Sequence, residues 1–204
     1  EGNDDVTSPS NTITTEVMDL MGQMSQLAKR DGFIVSMAPC ESYVDPTTSF
    51  FDTSLTHNYP EWEELQPNFN YHGHNSYTYV MSKYGITERE GGESVATFDF
   101  ISVQFYEGYT HIVYNTTISG QPVADYLIKL IPRLIEGWTV DFSTVFGDSY
   151  PKKTVNIPPA QLVIGLANGW TNGEKFLLVW ADQVRIAYET LTKLNQQPRG
   201  CMFW

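Results

Sequence analysis

The sequence predicts an α/β fold in which parallel strands alternate with helices in a β/α barrel. Three observations carry that reading. The stretch Phe98–Tyr106, Phe-Asp-Phe-Ile-Ser-Val-Gln-Phe-Tyr, alternates apolar and polar side chains with the period of a strand. The order strand, loop, helix, strand repeats along the chain without a convincing hairpin, which is the pattern of parallel βαβ units. Four strands are expected in all, and the polar side of the strand over 98–106 is not the charged kind that a solvated sheet face carries. One side presents Ile101, Val103 and Phe105, the other Ser102, Gln104 and Tyr106. That suits a strand packed on helices by its apolar side and lining a polar pocket with its other side.

Taken in order, residues 1–13 are polar and loop-like. From Thr14 to Arg30 the apolar positions Val17, Leu20, Met21, Met24, Leu27 and Ala28 form one helical stripe, with Thr at the start and Lys29-Arg30 at the negative end of the dipole. The methionines are read as core packing. Asp31-Gly32 closes the helix. Phe33-Ile34-Val35-Ser36-Met37-Ala38 follows as a short buried strand stopped by Pro39.

The stretch 41–97 is long for a connection and reads as a loop insertion at the barrel mouth, where binding surface tends to lie. Within it a short helix is expected from Asn75 to Tyr84, ended by Gly85. After the strand over 98–106, a helix is expected from Val123 to Glu136. Pro122 sits at its first turn, Tyr126, Leu127, Leu130 and Leu134 mark its buried face, and Pro132 is expected to kink it. Pro158-Pro159 leads into a strand over 162–166. A helix from Asp182 to Asn195 uses Val184, Ala187, Tyr188, Leu191 and Leu194, and the last strand is Gly200–Trp204. That strand has no helix after it to cover its face, so the sequence is read as part of a larger domain.

Composition bounds the function. The 204 residues are 41% hydrophobic and 14% aromatic, enough for one sizeable core. A net charge of −12 and a pI near 4.6 argue against nucleic acid or an anionic membrane as partner, since either needs clustered Lys and Arg. No apolar run is long enough to span a bilayer. Cys40 and Cys201 read as small buried thiols, and Asn115-Thr116-Thr117 is a glycosylation sequon. His72-x-His74 lacks a third ligand at a recognisable spacing and reads as a turn with solvated imidazoles. There is no phosphate-cradling glycine loop and no Ser/His/Asp arrangement above chance.

The strand segments Phe33–Pro39, Phe98–Tyr106, Leu162–Asn168 and Gly200–Trp204 resemble strands five to eight of family 18 glycoside hydrolases, closest to hevamine-like and fungal-type endochitinases. Gln104-x-Tyr106 and the terminal Trp204, in that order, make the combination specific. The resemblance leaves out the insertion over 41–97. It implies a (β/α)8 TIM barrel of which this chain supplies strands five to eight and the end of strand four. Glu1-Gly2 matches the end of the family's Asp-x-x-Asp-x-Asp-x-Glu motif, whose three Asp residues would lie before residue 1.

The activity implied is retaining, metal-free and cofactor-free hydrolysis of β-1,4-linked N-acetylglucosamine polymers such as chitin, in a secreted protein. Family 18 uses the substrate's own N-acetyl carbonyl where most retaining enzymes use a second carboxylate. Glu1 would serve as general acid and then base, Tyr106 would donate its hydroxyl to the acetamido oxygen, Gln104 would hold the sugar, and Trp204 would floor the N-acetyl pocket. Met37 and Ala38 border that pocket from strand five. Trp170, Tyr43 and Tyr71 are candidate aromatic platforms at outer subsites. The alternatives are a lectin-like chitin-binding protein on the same fold and an endo-β-N-acetylglucosaminidase acting on N-glycans.

Overall fold

The computed structural model describes residues 12–54, 73–107, 110–169, 171 and 176–204. In chain order the elements are α1 (Thr15–Arg30), β1 (Ser36–Met37), α2 (Ser76–Tyr84), β2 (Ile86–Glu88), β3 (Ser94–Ala96), β4 (Phe100–Gln104), α3 (Val123–Glu136), β5 (Trp138–Asp141), β6 (Lys152–Val155), β7 (Leu162–Leu166), α4 (Ala181–Lys193) and β8 (Gly200–Phe203). Short helical turns at Glu41–Val44 and His111–Val113 follow β1 and β4.

Strands β1, β4, β7 and β8 form one sheet in that spatial order, and every pair is parallel. Helices α2, α3 and α4 each bridge one consecutive pair. Spatial order therefore equals chain order, without the reversal that defines a doubly wound sheet. Ile101, Val103 and Phe105 are buried, and so are Ser102, Gln104 and Tyr106. The buried face expected for α3 is the one observed, and the helix continues through Pro132. In α4, Ala187 and Leu191 are buried, whereas Leu194 is exposed.

Helix α1 begins with the Thr14 hydroxyl accepting the Val17 N–H at 3.3 Å. At its other end Lys29 pairs with Asp99 at 2.6 Å, and the second Asp99 oxygen accepts the Val35 N–H at 2.8 Å. One carboxylate thus joins α1 to the approaches of β1 and β4. The stripe expected to be core is so only along one edge: Met21 and Ala28 pack against the core, whereas Val17, Leu20, Met24 and Leu27 are 42–61% exposed. The face that is buried carries Met18 and Gly22 instead. Helix α1 therefore has two apolar faces, and the described residues cover one of them.

That covered face packs on α2. The Tyr79 and Tyr84 hydroxyls each donate to Asp19 at 2.8 Å, and the Lys83 ammonium lies 2.9 Å from the same oxygen. Gly22 sits under the Tyr84 ring, where an added Cβ would fall 2.1 Å from Cδ2 and 2.3 Å from Cγ. The ring is tethered through its hydroxyl and has little freedom to retreat. Gly22→Ala is expected to cost about 1–3 kcal/mol by overpacking. Denaturant unfolding of the intact protein checks it, and wild-type stability in the variant would show that the helices separate freely.

The stretch 41–97 is more than a loop: α2 is the crossover helix between β1 and β4, and an antiparallel hairpin, β2–β3, follows it. A second antiparallel pair, β5–β6, follows α3. Neither was expected from the sequence. The β2–β3 turn uses Gly91 and Gly92 at φ 94° and 82°, a region open to glycine. Phe51, Tyr79, Phe142, Phe146 and Tyr150 form an aromatic cluster joining the insertion to the segment after β5, with Tyr79 and Phe146 stacked at 4.6 Å. His74, expected in solvent, is buried against Phe50.

The first strand is also shorter than expected. Pairing covers Ser36 and Met37, and Phe33 and Ile34 are 65% and 79% exposed. Strand β1 pairs with β4 on one side, and no described strand lies on its other side. The opposite edge, β8, leaves Phe203 similarly exposed.

Candidate functional site

Residues paired across parallel strands share a face, and neighbours along a strand do not. Gln104 aligns with Gly165 and Met202, and Ser102 with Val163 and Gly200. The alternation continues that face to Tyr106 and Trp204 beyond the ends of β4 and β8, and to Ala38 beyond β1. Met37 aligns with Ile101, on the opposite face beside Val103 and Ile164. The structure therefore brings Ala38, Gln104, Tyr106 and Trp204 to one side of the sheet at the C-terminal strand ends and leaves Met37 among core side chains on the other. Met37 and Ala38 both line a different cavity, with Met21, Ser25, Tyr77, Val80 and Phe98 between α1, α2 and β1.

Gln104 is held closely. Its backbone N–H donates to the Pro39 carbonyl at 2.8 Å, and its side-chain Nε2 donates to the Ala38 carbonyl at 2.7 Å. Tyr106 is buried, and its carbonyl accepts the Leu177 N–H at 3.1 Å. Trp204 is fixed through its backbone: its N–H donates to Leu166 at 2.9 Å and its carbonyl accepts from Asn168 at 3.0 Å. Its indole is 69% exposed. Two strand spacings, roughly 10 Å, separate the β4 and β8 lines of this face.

Between them lies Gly165. A Cβ there would fall 2.8 Å from the Val103 carbonyl oxygen, 3.2 Å from the Gln104 Cα and 3.3 Å from the Met202 methyl. Glycine keeps the floor low between Gln104 and Met202. An isolated glycine inside a strand pattern signals such a close approach.

Of the other residues singled out from sequence, Glu1, Trp170, Tyr71 and His72 lie outside the described residues. Tyr43 is buried with its ring 5.0 Å from that of Tyr77, so it offers no platform to solvent. Trp180 was not anticipated. It is 68% exposed and lines an open groove with Thr116, Thr117, Gln121 and Gln183. The sequon residue Asn115 sits in a helical turn with its Nδ2 donating to the His111 carbonyl at 2.7 Å. Among the described residues, no group of three His, Cys, Asp or Glu side chains is arranged to hold a metal, and no helix is long and apolar enough to cross a membrane.

A second unanticipated group lies just behind the β1 and β4 ends. Glu41 is buried, with Oε1 accepting the Tyr126 hydroxyl and Oε2 accepting the Ile112 N–H at 3.0 Å. His111 Nε2 lies 3.1 Å from Asp45 Oδ2. Burial pushes the Glu41 carboxyl up to about 7, against the pull of His111 and its two hydrogen bonds. Burial opposes a charged His111, but the hydrogen bond and charge of Asp45, with the charge of Glu41, outweigh it and raise that imidazole above its ordinary value. A buried Asn75 supports the group, accepting the Asp45 N–H and the Trp138 Nε1–H through one oxygen, each at 3.0 Å.

No protein-family model matches the sequence, and no curated protein does. A solved structure does: a family GH18 chitinase from Chromobacterium violaceum superimposes with a TM-score of 0.56. The likeness is one of fold. Identity is 20%, and the match covers 98% of this chain and 48% of that one. The chain thus spans about half the length of the chitinase it resembles.

Proposed function

We propose that this chain forms strands five to eight and the end of strand four of a (β/α)8 barrel in a chitinase-like glycoside hydrolase. The observation that carries the proposal is the shared face of Gln104, Tyr106 and Trp204. They lie at the C-terminal ends of parallel strands that follow one another in chain order, on a fold similar to a chitinase, and barrel enzymes build their sites at that end. The uncovered apolar groups support it. The outer stripe of α1 with Phe33 and Ile34 marks one flank, and Phe203 with Trp204 marks the other. A first half-barrel adding a strand beside β1, one beside β8 and a helix against α1 would cover them.

In this reading the substrate is a β-1,4-linked N-acetylglucosamine oligomer, and the setting is extracellular. The substrate's acetamido carbonyl attacks the anomeric carbon while the acid protonates the leaving oxygen, which gives retention through an oxazolinium intermediate. Glu1 is the proposed acid, on the sequence resemblance. Tyr106 donates a hydrogen bond to the acetamido oxygen and so orients the acetamido group toward the anomeric carbon. Gln104, locked to the Ala38 carbonyl, presents a preset polar group to the sugar, and the Trp204 indole offers a flat apolar surface for the N-acetyl group.

The test is hydrolysis of soluble chitin oligosaccharides by the intact protein and by Tyr106→Phe. The variant is expected to lose roughly 10²-fold in kcat while still binding the oligosaccharide. Binding without cleavage by the wild type would favour a lectin-like protein. Cleavage of a high-mannose glycoprotein in place of chitin oligomers would favour an endo-β-N-acetylglucosaminidase. Wild-type kcat in Tyr106→Phe would remove the role given to that hydroxyl.

A further inference from the structure

We propose that Glu41 is a positioning residue for the sugar-facing ends of β1 and β4, an inference that rests on the carbohydrate reading of that end of the sheet. Glu41 follows Cys40, whose backbone bridges to Gln104 beyond the last residue of β1. From there its carboxylate reaches two other segments. One oxygen takes the Ile112 N–H from the helical turn after β4, and the other takes the Tyr126 hydroxyl from α3.

The anchored turn leads directly back to the site. It is capped by Thr110, whose hydroxyl accepts the Val113 N–H and donates to the Glu107 carbonyl at 2.7 Å, one residue after Tyr106. Gln104 is held from below by Pro39 and Ala38, and the chain leaving Tyr106 is held from above by Glu41 through Ile112. Both arms start from the same short stretch after β1. A buried carboxylate with two donors aimed at it is a costly way to join three segments where an apolar contact would serve. A carboxylate accepts from both, whereas a glutamine in its place keeps one acceptor for the Ile112 N–H and sets an amide NH₂ toward the Tyr126 hydroxyl, which must turn from donor to acceptor.

The charged and titratable groups facing Glu41 are Asp45 on its own turn, His111 on the turn after β4, and Tyr126 on α3. Arg133, one helical stretch further along α3, bears on Tyr126 and donates to the Pro46 carbonyl at 2.7 Å. Protonation of this group therefore acts on the same hydrogen bonds that fix the segment after Tyr106.

The test compares the intact wild type with Glu41→Gln, and with Tyr126→Phe as the milder change if the first does not fold. Glu41→Gln is expected to lower kcat/KM on chitin oligosaccharides by roughly tenfold to a hundredfold. The wild type is expected to show a step near pH 7 in its pH profile, and the variant to lack it. Amide exchange over 105–107 and 110–113 should quicken by roughly tenfold while α1 and α2 exchange as before. Unchanged exchange in that segment, or an unchanged pH profile in an active variant, overturns the proposal and leaves the carbohydrate reading standing. A wild type that neither binds nor cleaves the oligosaccharide overturns the carbohydrate reading, and faster exchange in Glu41→Gln would then retain Glu41 as an anchor without its role toward sugar.

Discussion

Asn75→Ala is expected to destabilise the intact protein by about 4 kcal/mol or more, from several buried groups each losing about 1–3 kcal/mol. The Asn75 side chain makes four hydrogen bonds. Its oxygen accepts from the Asp45 N–H and the Trp138 indole, and its Nδ2 donates to the Thr48 and Phe50 carbonyls at 3.2 and 3.0 Å. Alanine takes this partner from two buried donors, the Asp45 N–H and the Trp138 Nε1–H, and from two part-buried carbonyls. It would also have to hold φ 57°, a left-handed conformation that asparagine tolerates and that costs alanine about 1–2 kcal/mol. Asn75→Gly removes that strain but not the lost bonds. It is therefore expected to lie about 1 kcal/mol above alanine and well below wild type. Urea unfolding separates the two contributions. A loss under about 1 kcal/mol in both variants would mean that water replaces the amide at no cost. The loss is a large share of the 5–15 kcal/mol that typically holds a domain together.

The second large effect is on the pH dependence of stability. Glu41 releases its proton near 4.5 in the unfolded chain and at about 7 in the folded one. The folded state therefore binds the proton more tightly, and this contribution is fully present below 4.5 and lost as pH rises through 7. Its size is about 3 kcal/mol at 1.36 kcal/mol per pH step. His111 acts in the same direction, since its folded value is raised. Asp19 and Asp99 are lowered and act oppositely, losing their contribution as pH falls through the acid range. Together these place maximal stability on the mildly acidic side of neutral. The melting temperature is expected to fall by roughly 6–12 °C between pH 5 and pH 8. In Glu41→Gln that slope should flatten. A melting temperature that rises from pH 5 to pH 8 would contradict the assignment.

What the sequence made legible follows from how local each signal is. The alternation over 98–106 and the α3 stripe are patterns of neighbours along the chain, and both survive in the structure. Helix α1 misleads because two of its faces are apolar. Periodicity finds the stripe at Val17, Leu20, Met21, Met24, Leu27 and Ala28 but cannot say that the described residues cover only its Met21 and Ala28 edge. The three- and four-residue strands β2, β3, β5 and β6 are too short to show a period, although Gly91-Gly92 marks a hairpin turn. Glu41 was invisible because its partners Ile112 and Tyr126 lie 71 and 85 residues away. Tyr126 itself was read correctly as buried, on its helical spacing, without sign that its hydroxyl meets a carboxylate.

The most direct measurement is the anomeric form of the sugar first released when the intact protein acts on a chitin oligosaccharide, followed by proton NMR before mutarotation. Substrate-assisted attack through the acetamido group predicts the β-anomer first, with retention of configuration. The α-anomer appearing first, or no cleavage of any N-acetylglucosamine oligomer, would contradict the account.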